Sequence, residues 1–433
     1  MSRRHVHGNE RSVSIRIDGI AAGGAGVGRA PDGRAVFVHR TAAGELVEVQ
    51  ITEQKPRWAR GELIRVIEPA RSRRQAPCRF YDRCGGCTLE HIDYAAQLEA
   101  KALIVSDALR RIGGLDVPVP EVVASPEEFH YRNRVSFTLV RLRNGRVVAG
   151  FHELGRPDRV LDIDESCLMP ELPVATAWGA LRQNWGRDAA RLPSGLRLRL
   201  TLRATANGRT ALLVQGGFGA GQPDELLEHV PSLQSVWHQP RATTQPLLLA
   251  GETHLTESWD EEELALSGSV FLQVNRHSAA LLEEYVVQVA GNLKGLSVVD
   301  AYCGVGLHAR RFVRQGANVT GIELDEHAVE EARRAAPGAR FIGERVETVL
   351  PQLLPADLVV LNPPRAGLAA GIPEAIHSAP PARVIYISCD PATLARDLGR
   401  LAPAFVVRSI RCFDLFPQTA HVETVVELAC CTT

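Results

Sequence analysis

Val298-Val-Asp-Ala-Tyr302-Cys-Gly304-Val-Gly306 is the stretch that decides the fold. An apolar run ends on an acid, glycines follow at alternate positions, and an Ala- and Arg-rich segment comes next. That order reads as a strand, a tight turn and a helix, the context in which a Gly-x-Gly motif signals nucleotide binding. Glycine lets the backbone approach a ligand closely. Glu323 closes the next strand-like run, roughly 20 residues on, where a carboxylate can take two ribose hydroxyls. A dinucleotide site would place a third glycine where Leu307-His308-Ala309 stands. A ligand without phosphates fits better, and S-adenosylmethionine is one.

Outward from this turn, strand-like runs at 297–300, 318–323, 339–342, 357–362 and 383–388 alternate with Ala/Arg/Glu-rich helical segments. The pattern predicts a doubly wound parallel sheet. Residues 405–412 and 421–428 predict an antiparallel pair around Phe416-Pro417-Gln418. Within that sheet, Ile385-Tyr-Ile-Ser-Cys389-Asp-Pro391 ends a strand on a thiol. Open α/β sheets bind their ligands at this edge. Asn362-Pro-Pro-Arg365 ends the preceding strand there too, and two prolines fix the chain. A nucleophile and a cofactor loop in one sheet point to group transfer through a covalent intermediate.

The N-terminal half reads differently. Residues 12–68 alternate short β-like runs with glycine turns, which predicts a small OB-like β-barrel. Residues 94–112 predict an amphipathic helix with Leu98, Ala102, Val105, Leu109 and Ile112 on one face, stopped by Gly113-Gly114. That helix is expected to pack on the C-terminal domain. Residues 130–265 are mostly strands, and the alternating Arg and Leu of 197–203 predict a basic row. Three domains are expected: 1–70, 71–265 and 266–433.

Net charge is −1, but residues 1–75 carry 14 Lys/Arg against 8 Asp/Glu, a balance of +6. No apolar run reaches the roughly 18 residues of a membrane span. The first residues show no apolar export signal, so a cytoplasmic protein is expected. The nine cysteines are odd in number and unevenly spaced. Without an export signal a disulfide framework is not expected. Cys78-x5-Cys84-x2-Cys87 lies in a loop, and Cys167 follows a charged turn. Four such thiolates can hold zinc or an iron–sulfur cluster.

The order of motifs is specific. A basic OB-like module leads into Cys78-x5-Cys84-Gly-Gly-Cys87. Phe271-Leu-Gln273-Val-Asn275, the 300–306 turn, Asn362-Pro-Pro-Arg-Ala-Gly367, Ser388-Cys389-Asp-Pro391 and His421-Val-Glu423 follow. Over residues 12–428 the chain closely resembles the bacterial RNA 5-methyluridine methyltransferases that carry an N-terminal TRAM domain and a 4Fe–4S cluster. The resemblance implies a class I methyltransferase sheet, a TRAM barrel and a mostly β central domain. It implies Cys389 as nucleophile and Glu423 as the base that removes the C5 proton. It implies Gln273, Tyr302, Glu323, Glu344 and Asn362 as S-adenosylmethionine contacts. Cys78, Cys84, Cys87 and Cys167 match the cluster ligands. Position 362 is often Asp in the family and is Asn here, and Ala335-Ala336 replaces the usual Asn-Ala pair. The expected substrate is RNA, 23S ribosomal RNA first and transfer RNA as the alternative. A non-catalytic RNA-binding protein with the same fold is the third reading. A monomer is expected.

Overall fold

The computed structural model describes residues 12–259, 262–270 and 272–431. Phe271 and the first basic residues, Arg3, Arg4 and Arg11, lie outside them. Strands β1 (Ser12–Ile20), β2 (Gly26–Arg29), β3 (Ala35–Val38), β4 (Leu46–Gln54) and β5 (Trp58–Glu68) close into a barrel in the order β1-β2-β3-β5-β4. Alternation along these strands fills the barrel with Ile15, Ile17, Val36, Val38, Val47 and Val49. Period-2 patterning sends every second side chain to one face, which is why the sequence shows it plainly.

A cysteine-bearing loop follows, then α1 (Tyr94–Arg111) and the short β6 (Glu121–Val123). The central sheet comprises β7 (Arg134–Arg141), β8 (Val147–Glu153), β9 (Arg156–Asp162), β10 (Arg197–Ala204), β11 (Thr210–Gln215), β12 (Leu233–Gln239) and β13 (Leu247–Gly251). Their order is β13-β12-β11-β10-β7-β8-β9. One face is covered by α2 (Leu172–Asn184) and α3 (Pro223–His229), with Trp178 stacked on Phe137 at 3.9 Å. A hairpin, β14 (His254–Trp259) and β15 (Glu262–Ser267), leads out of this unit.

The C-terminal unit runs α4 (Arg276–Ala290), β16 (Ser297–Ala301), α5 (Leu307–Arg314), β17 (Asn318–Glu323), α6 (Glu326–Ala335), β18 (Arg340–Gly343), α7 (Val346–Val349), β19 (Leu358–Leu361), α8 (Gly371–Ser378), β20 (Arg383–Ser388), α9 (Pro391–Leu401), β21 (Phe405–Phe413) and β22 (Glu423–Cys430). The sheet order is β18-β17-β16-β19-β20-β22-β21-β6. The five strands from β18 to β20 are parallel, and β22 is antiparallel to both neighbours. The doubly wound reading and the terminal antiparallel pair therefore describe the observed sheet.

Two features of the segment 71–265 join it to the C-terminal unit, the strand β6 and the helix that the sequence reading set against that domain. β6 pairs in parallel with β21 and extends the C-terminal sheet. Helix α1 packs its Val105 and Leu109 with Val384, Tyr386 and Leu394 of that unit. Its most buried positions also include Gln97 and Lys101, while Ile112 is 53% exposed. Lys101 is buried because its Nζ donates to Asp414 Oδ1 at 2.5 Å and to the Phe416 carbonyl at 3.1 Å. Removing either charge would strand the other in the interior, at roughly 3–5 kcal/mol.

Among the described residues, no helix is long and apolar enough to cross a membrane.

Candidate active site

The glycine turn after β16 is built from residues in left-handed backbone: Tyr302 (φ 62), Gly304 (φ 54) and Gly306 (φ 77). A Cβ on Gly306 would come within 3.0 Å of Ala332 and the Phe341 ring, so glycine is needed there on both counts. Gly304 N–H donates to Glu323 Oε2 at 3.0 Å, and Leu324 and Asp325 N–H groups donate to Oε1 at 2.8 and 2.9 Å. Three backbone donors thus fix the half-buried Glu323 carboxylate beside the turn. Asp300, which no motif singled out as a contact, is fully buried at the end of β16. One of its oxygens takes Ala309 N–H at 3.2 Å, and the other has no protein partner. Burial, with a smaller push from Glu323, drives its pKa up to about 7. Burial likewise drives the Tyr302 hydroxyl up to about 12.

Asn362 follows β19, half-buried, with its N–H on the Ala301 carbonyl at 3.3 Å. Glu344 follows Gly343, the residue opposite Glu323, and is exposed. Tyr302, Glu323, Glu344 and Asn362 therefore share one sheet edge. Gln273 comes from the segment before α4, and its carbonyl accepts from Asn133 Nδ2 at 3.0 Å. Its contacts on this side run to the start of β7.

Cys389 and Glu423 stand on the same edge. In the β20–β22 ladder Ser388 is opposite Thr424. The ladder ends there, and Cys389 and Glu423 are the next residues beyond that last pair, near enough for the Glu423 charge to act on the thiol. Asp390 caps α9 through the N–H groups of Ala392 and Thr393. This cap and Pro391 turn the chain immediately after the thiol. Cys389 is half-buried, whereas Glu423 is only 3% exposed. Burial pushes Glu423 up to about 8, and Arg365 opposes that push. Burial, then the Glu423 charge, hold the Cys389 thiol above its ordinary range, and the Arg365 guanidinium opposes both. Arg365 is the cation common to the pair.

The Arg365 loop is itself held. Asp397 on α9 is fully buried and accepts from Leu368 N–H and Tyr386 O–H, each at 2.8 Å. Gly367 (φ 75) makes room for it, since a Cβ there would lie 2.3 Å from Asp397 Oδ2. Residues 414–422, which lead into Glu423, are held from α1. Gln97 and Gln418 bond each other twice, at 2.9 and 3.0 Å, and the Gln418 carbonyl takes Thr88 and Leu89 N–H groups. Tyr131 O–H donates to the Pro417 carbonyl at 2.9 Å. The cysteine loop and the loop before Glu423 are thereby joined.

Cys78, Cys84, Cys87 and Cys167 share one apolar cluster. Burial raises all four thiols, and Cys167 senses the charges of Cys78 and Cys84 while Cys87 senses that of Cys167. Arg40, from the turn after β3, donates to the carbonyls of Tyr81, Cys84 and Cys87, so the barrel is clamped to this loop. Among the described residues, no three His, Cys, Asp or Glu groups lie close enough to hold a single metal ion.

The basic row at 197–203 is shorter than its sequence pattern implies. Arg197 and Arg199 are exposed, with Leu198, Leu200 and Leu202 buried. Arg203 is buried in an ion pair with Glu257 at 3.0 Å, and Arg276 joins the same carboxylate at 2.7 Å. A pair formed across 54 positions leaves no local pattern.

With this geometry in hand, comparison with known proteins is direct. The tRNA (uracil-5-)-methyltransferase family model matches residues 316–430, and the TRAM domain model matches residues 7–64. An uncharacterized RNA methyltransferase of Gloeobacter violaceus is 35% identical, covering 96% of each chain. One of Halalkalibacterium halodurans is 30% identical, covering 99% of each. The fold matches the crystal structure of Pyrococcus abyssi tRNA (uracil-54, C5)-methyltransferase in complex with S-adenosyl-L-homocysteine. That match has a TM-score of 0.75 and 24% identity, over 96% of this chain and 99% of that one. The chain belongs to the TRAM-domain RNA (uracil-5-)-methyltransferase family.

Proposed function

We propose that this protein methylates C5 of uridine in RNA, with S-adenosylmethionine as donor, through a covalent adduct on Cys389. The observation that carries the reading is Cys389 and Glu423 beside the last pair of the β20–β22 ladder, with Arg365 acting on both, on the sheet edge that also holds the glycine turn. Tyr302, Glu323 and Asn362 line the cofactor's side of that edge, with Gln273 and Glu344 as outer contacts. Asp300 keeps an unpaired buried oxygen beneath the turn, which suits a ligand bearing hydrogen-bond donors. S-adenosylmethionine supplies an electrophilic methyl group.

Uracil C5 is a weak nucleophile. The Cys389 thiolate adds to C6, the electrons of the C5–C6 bond move toward the C4 carbonyl, and C5 becomes an enolate carbon able to take the methyl. The Glu423 carboxylate then removes the C5 proton, C5–C6 is restored as a double bond, and the thiolate leaves. The working form therefore carries Cys389 as thiolate and Glu423 as carboxylate. Both are disfavoured by burial and favoured by Arg365. A base at a sheet edge cannot be reached in a stack, so the target nucleotide is extruded.

Cys78, Cys84, Cys87 and Cys167 would hold a 4Fe–4S cluster. Four thiols in one buried apolar cluster, with only one Cys-x2-Cys knuckle among them, suit an iron–sulfur cluster better than zinc. Its role here is to tie the cysteine loop to the central sheet. The expected setting is a cytoplasmic monomer. The expected substrate is 23S ribosomal RNA. Transfer RNA is the second reading, supported by the description of the family model over residues 316–430. Mapping 5-methyluridine in ribosomal and transfer RNA with and without the protein tests both. A site lost with the protein names the substrate, and no lost site in either RNA would contradict the function.

A further inference from the structure

The barrel, the cysteine loop and the loop before Glu423 meet around a cavity of about 230 Å³. Its wall includes Gly23 from the first barrel turn, Gly86 from the cysteine loop, Arg132 just before β7, and Arg365, Phe416 and His421. Cys389, Glu423 and the residues of the glycine turn are not part of that wall. The cavity is a neighbour of the reaction site and meets it through Arg365.

The chemistry of the wall is specific. It carries two guanidinium groups and no carboxylate. Phe416 offers a ring, with His421 edge-on at 5.8 Å and the Arg132 guanidinium 5.9 Å from its centroid. Thr88, also in the wall, has a buried hydroxyl oxygen with no protein partner. Paired guanidiniums select a phosphate. An aromatic ring beside them selects a flat base. An anion joined to a flat ring is a nucleotide.

We propose that this cavity takes the nucleotide flanking the target uridine in the same RNA strand, its base against Phe416 and its phosphate between Arg132 and Arg365. The assignment rests on the reading of the protein as an RNA uracil methyltransferase. It makes Arg365 a shared group, facing the Cys389 thiol on one side and the RNA backbone on the other. A free nucleoside lacks the flanking unit and cannot fill the cavity. It also gives the barrel turn at 21–24 a place in substrate recognition.

The test uses the full-length protein, S-adenosylmethionine, and an RNA carrying 5-fluorouridine at the methylated position and 4-thiouridine at one neighbour, then the other. Fluorine cannot leave C5 as a cation, so the wild type forms a denaturant-resistant adduct at the target. Under near-ultraviolet light, one of the two neighbours should cross-link to the peptide bearing Phe416 and His421, or to that bearing Gly23. An adduct with neighbour cross-links only elsewhere would overturn the cavity assignment and leave the methyltransferase reading standing. No adduct on any RNA would overturn both. Independently, Gly23→Glu places a carboxylate where an added Cβ meets nothing within 4 Å. RNA affinity should fall by roughly tenfold or more, the scale of one lost phosphate or base contact, with S-adenosylmethionine affinity unchanged. Unchanged RNA affinity would contradict the assignment.

Discussion

Cys389 and the cysteines of the 78–167 cluster are the same side chain in two settings. Cys84, Cys87 and Cys167 are buried among apolar residues and near one another, with raised pKa values that the Arg40 and Arg132 charges only partly offset. Cys389 is half-buried at the end of a strand, under the charges of Arg365 and Glu423. Burial raises the pKa in both. What separates them is company. Thiols that face each other in a dry cluster are suited to sharing a metal centre. A thiol that faces a guanidinium and a base on an open sheet edge is suited to chemistry.

The largest expected effect comes from exchanging one cysteine of each kind. Cys389→Ala should lower turnover at least about a thousandfold, since a nucleophile has no substitute in a covalent mechanism. Its iron content should match the wild type. Retained turnover would erase the distinction between the two settings. Cys84→Ser should do the reverse to the metal. Anaerobically purified wild type is expected to hold about four irons per chain, and this variant close to none. Stoichiometric zinc without iron in the wild type would refute the cluster.

A smaller effect tests the cofactor side of the same edge. Glu323→Ala removes a carboxylate held by three backbone donors beside the glycine turn. S-adenosylmethionine affinity should weaken by about 1.5–3 kcal/mol, roughly ten- to a hundredfold, as read by calorimetry. Unchanged affinity would remove Glu323 from the site.

The smallest effect is a shift along the pH axis. In the proposed mechanism Glu423 acts as a carboxylate, and burial pushes its pKa up to about 8. Activity should therefore rise with pH through that value and on above it, because the Glu423 carboxylate and the Cys389 thiolate, whose pKa is also raised, both grow as pH rises. Arg365 holds both Glu423 and Cys389 lower than burial alone would. Arg365→Ala should move the rising limb to higher pH by about one unit or more. A rising limb at the wild-type position would mean that Arg365 does not set the pair.

Much of this was legible in the sequence, for local reasons. The 298–306 turn reads as strand, turn and helix because glycine and periodicity are local signals. Asp390 and Pro391 announce the helix start that leaves Cys389 at a strand end. What was not legible depends on partners far along the chain. Strand order is absent from a single sequence, so the β20–β22 pairing that brings Cys389 near Glu423 could not be read. Arg365 could be named but not placed. β6 has three residues between prolines and no period to detect. On α1, apolar spacing put Ile112 on the core face and passed over Gln97 and Lys101. Those two are buried only because Gln418 and Asp414 meet them more than 300 positions away. Arg203 left the basic row for the same kind of reason, its partner being Glu257.

The most direct test of the covalent account is Glu423→Gln with RNA and S-adenosylmethionine carrying a labelled methyl group, resolved on a denaturing gel. Glutamine keeps the side chain's size but cannot take the C5 proton, and the thiolate cannot leave while that proton remains. The account predicts a protein–RNA band that survives denaturant, carries the label, and is absent when Cys389→Ala is added to the same chain. Full turnover by Glu423→Gln, with no such band, would contradict it.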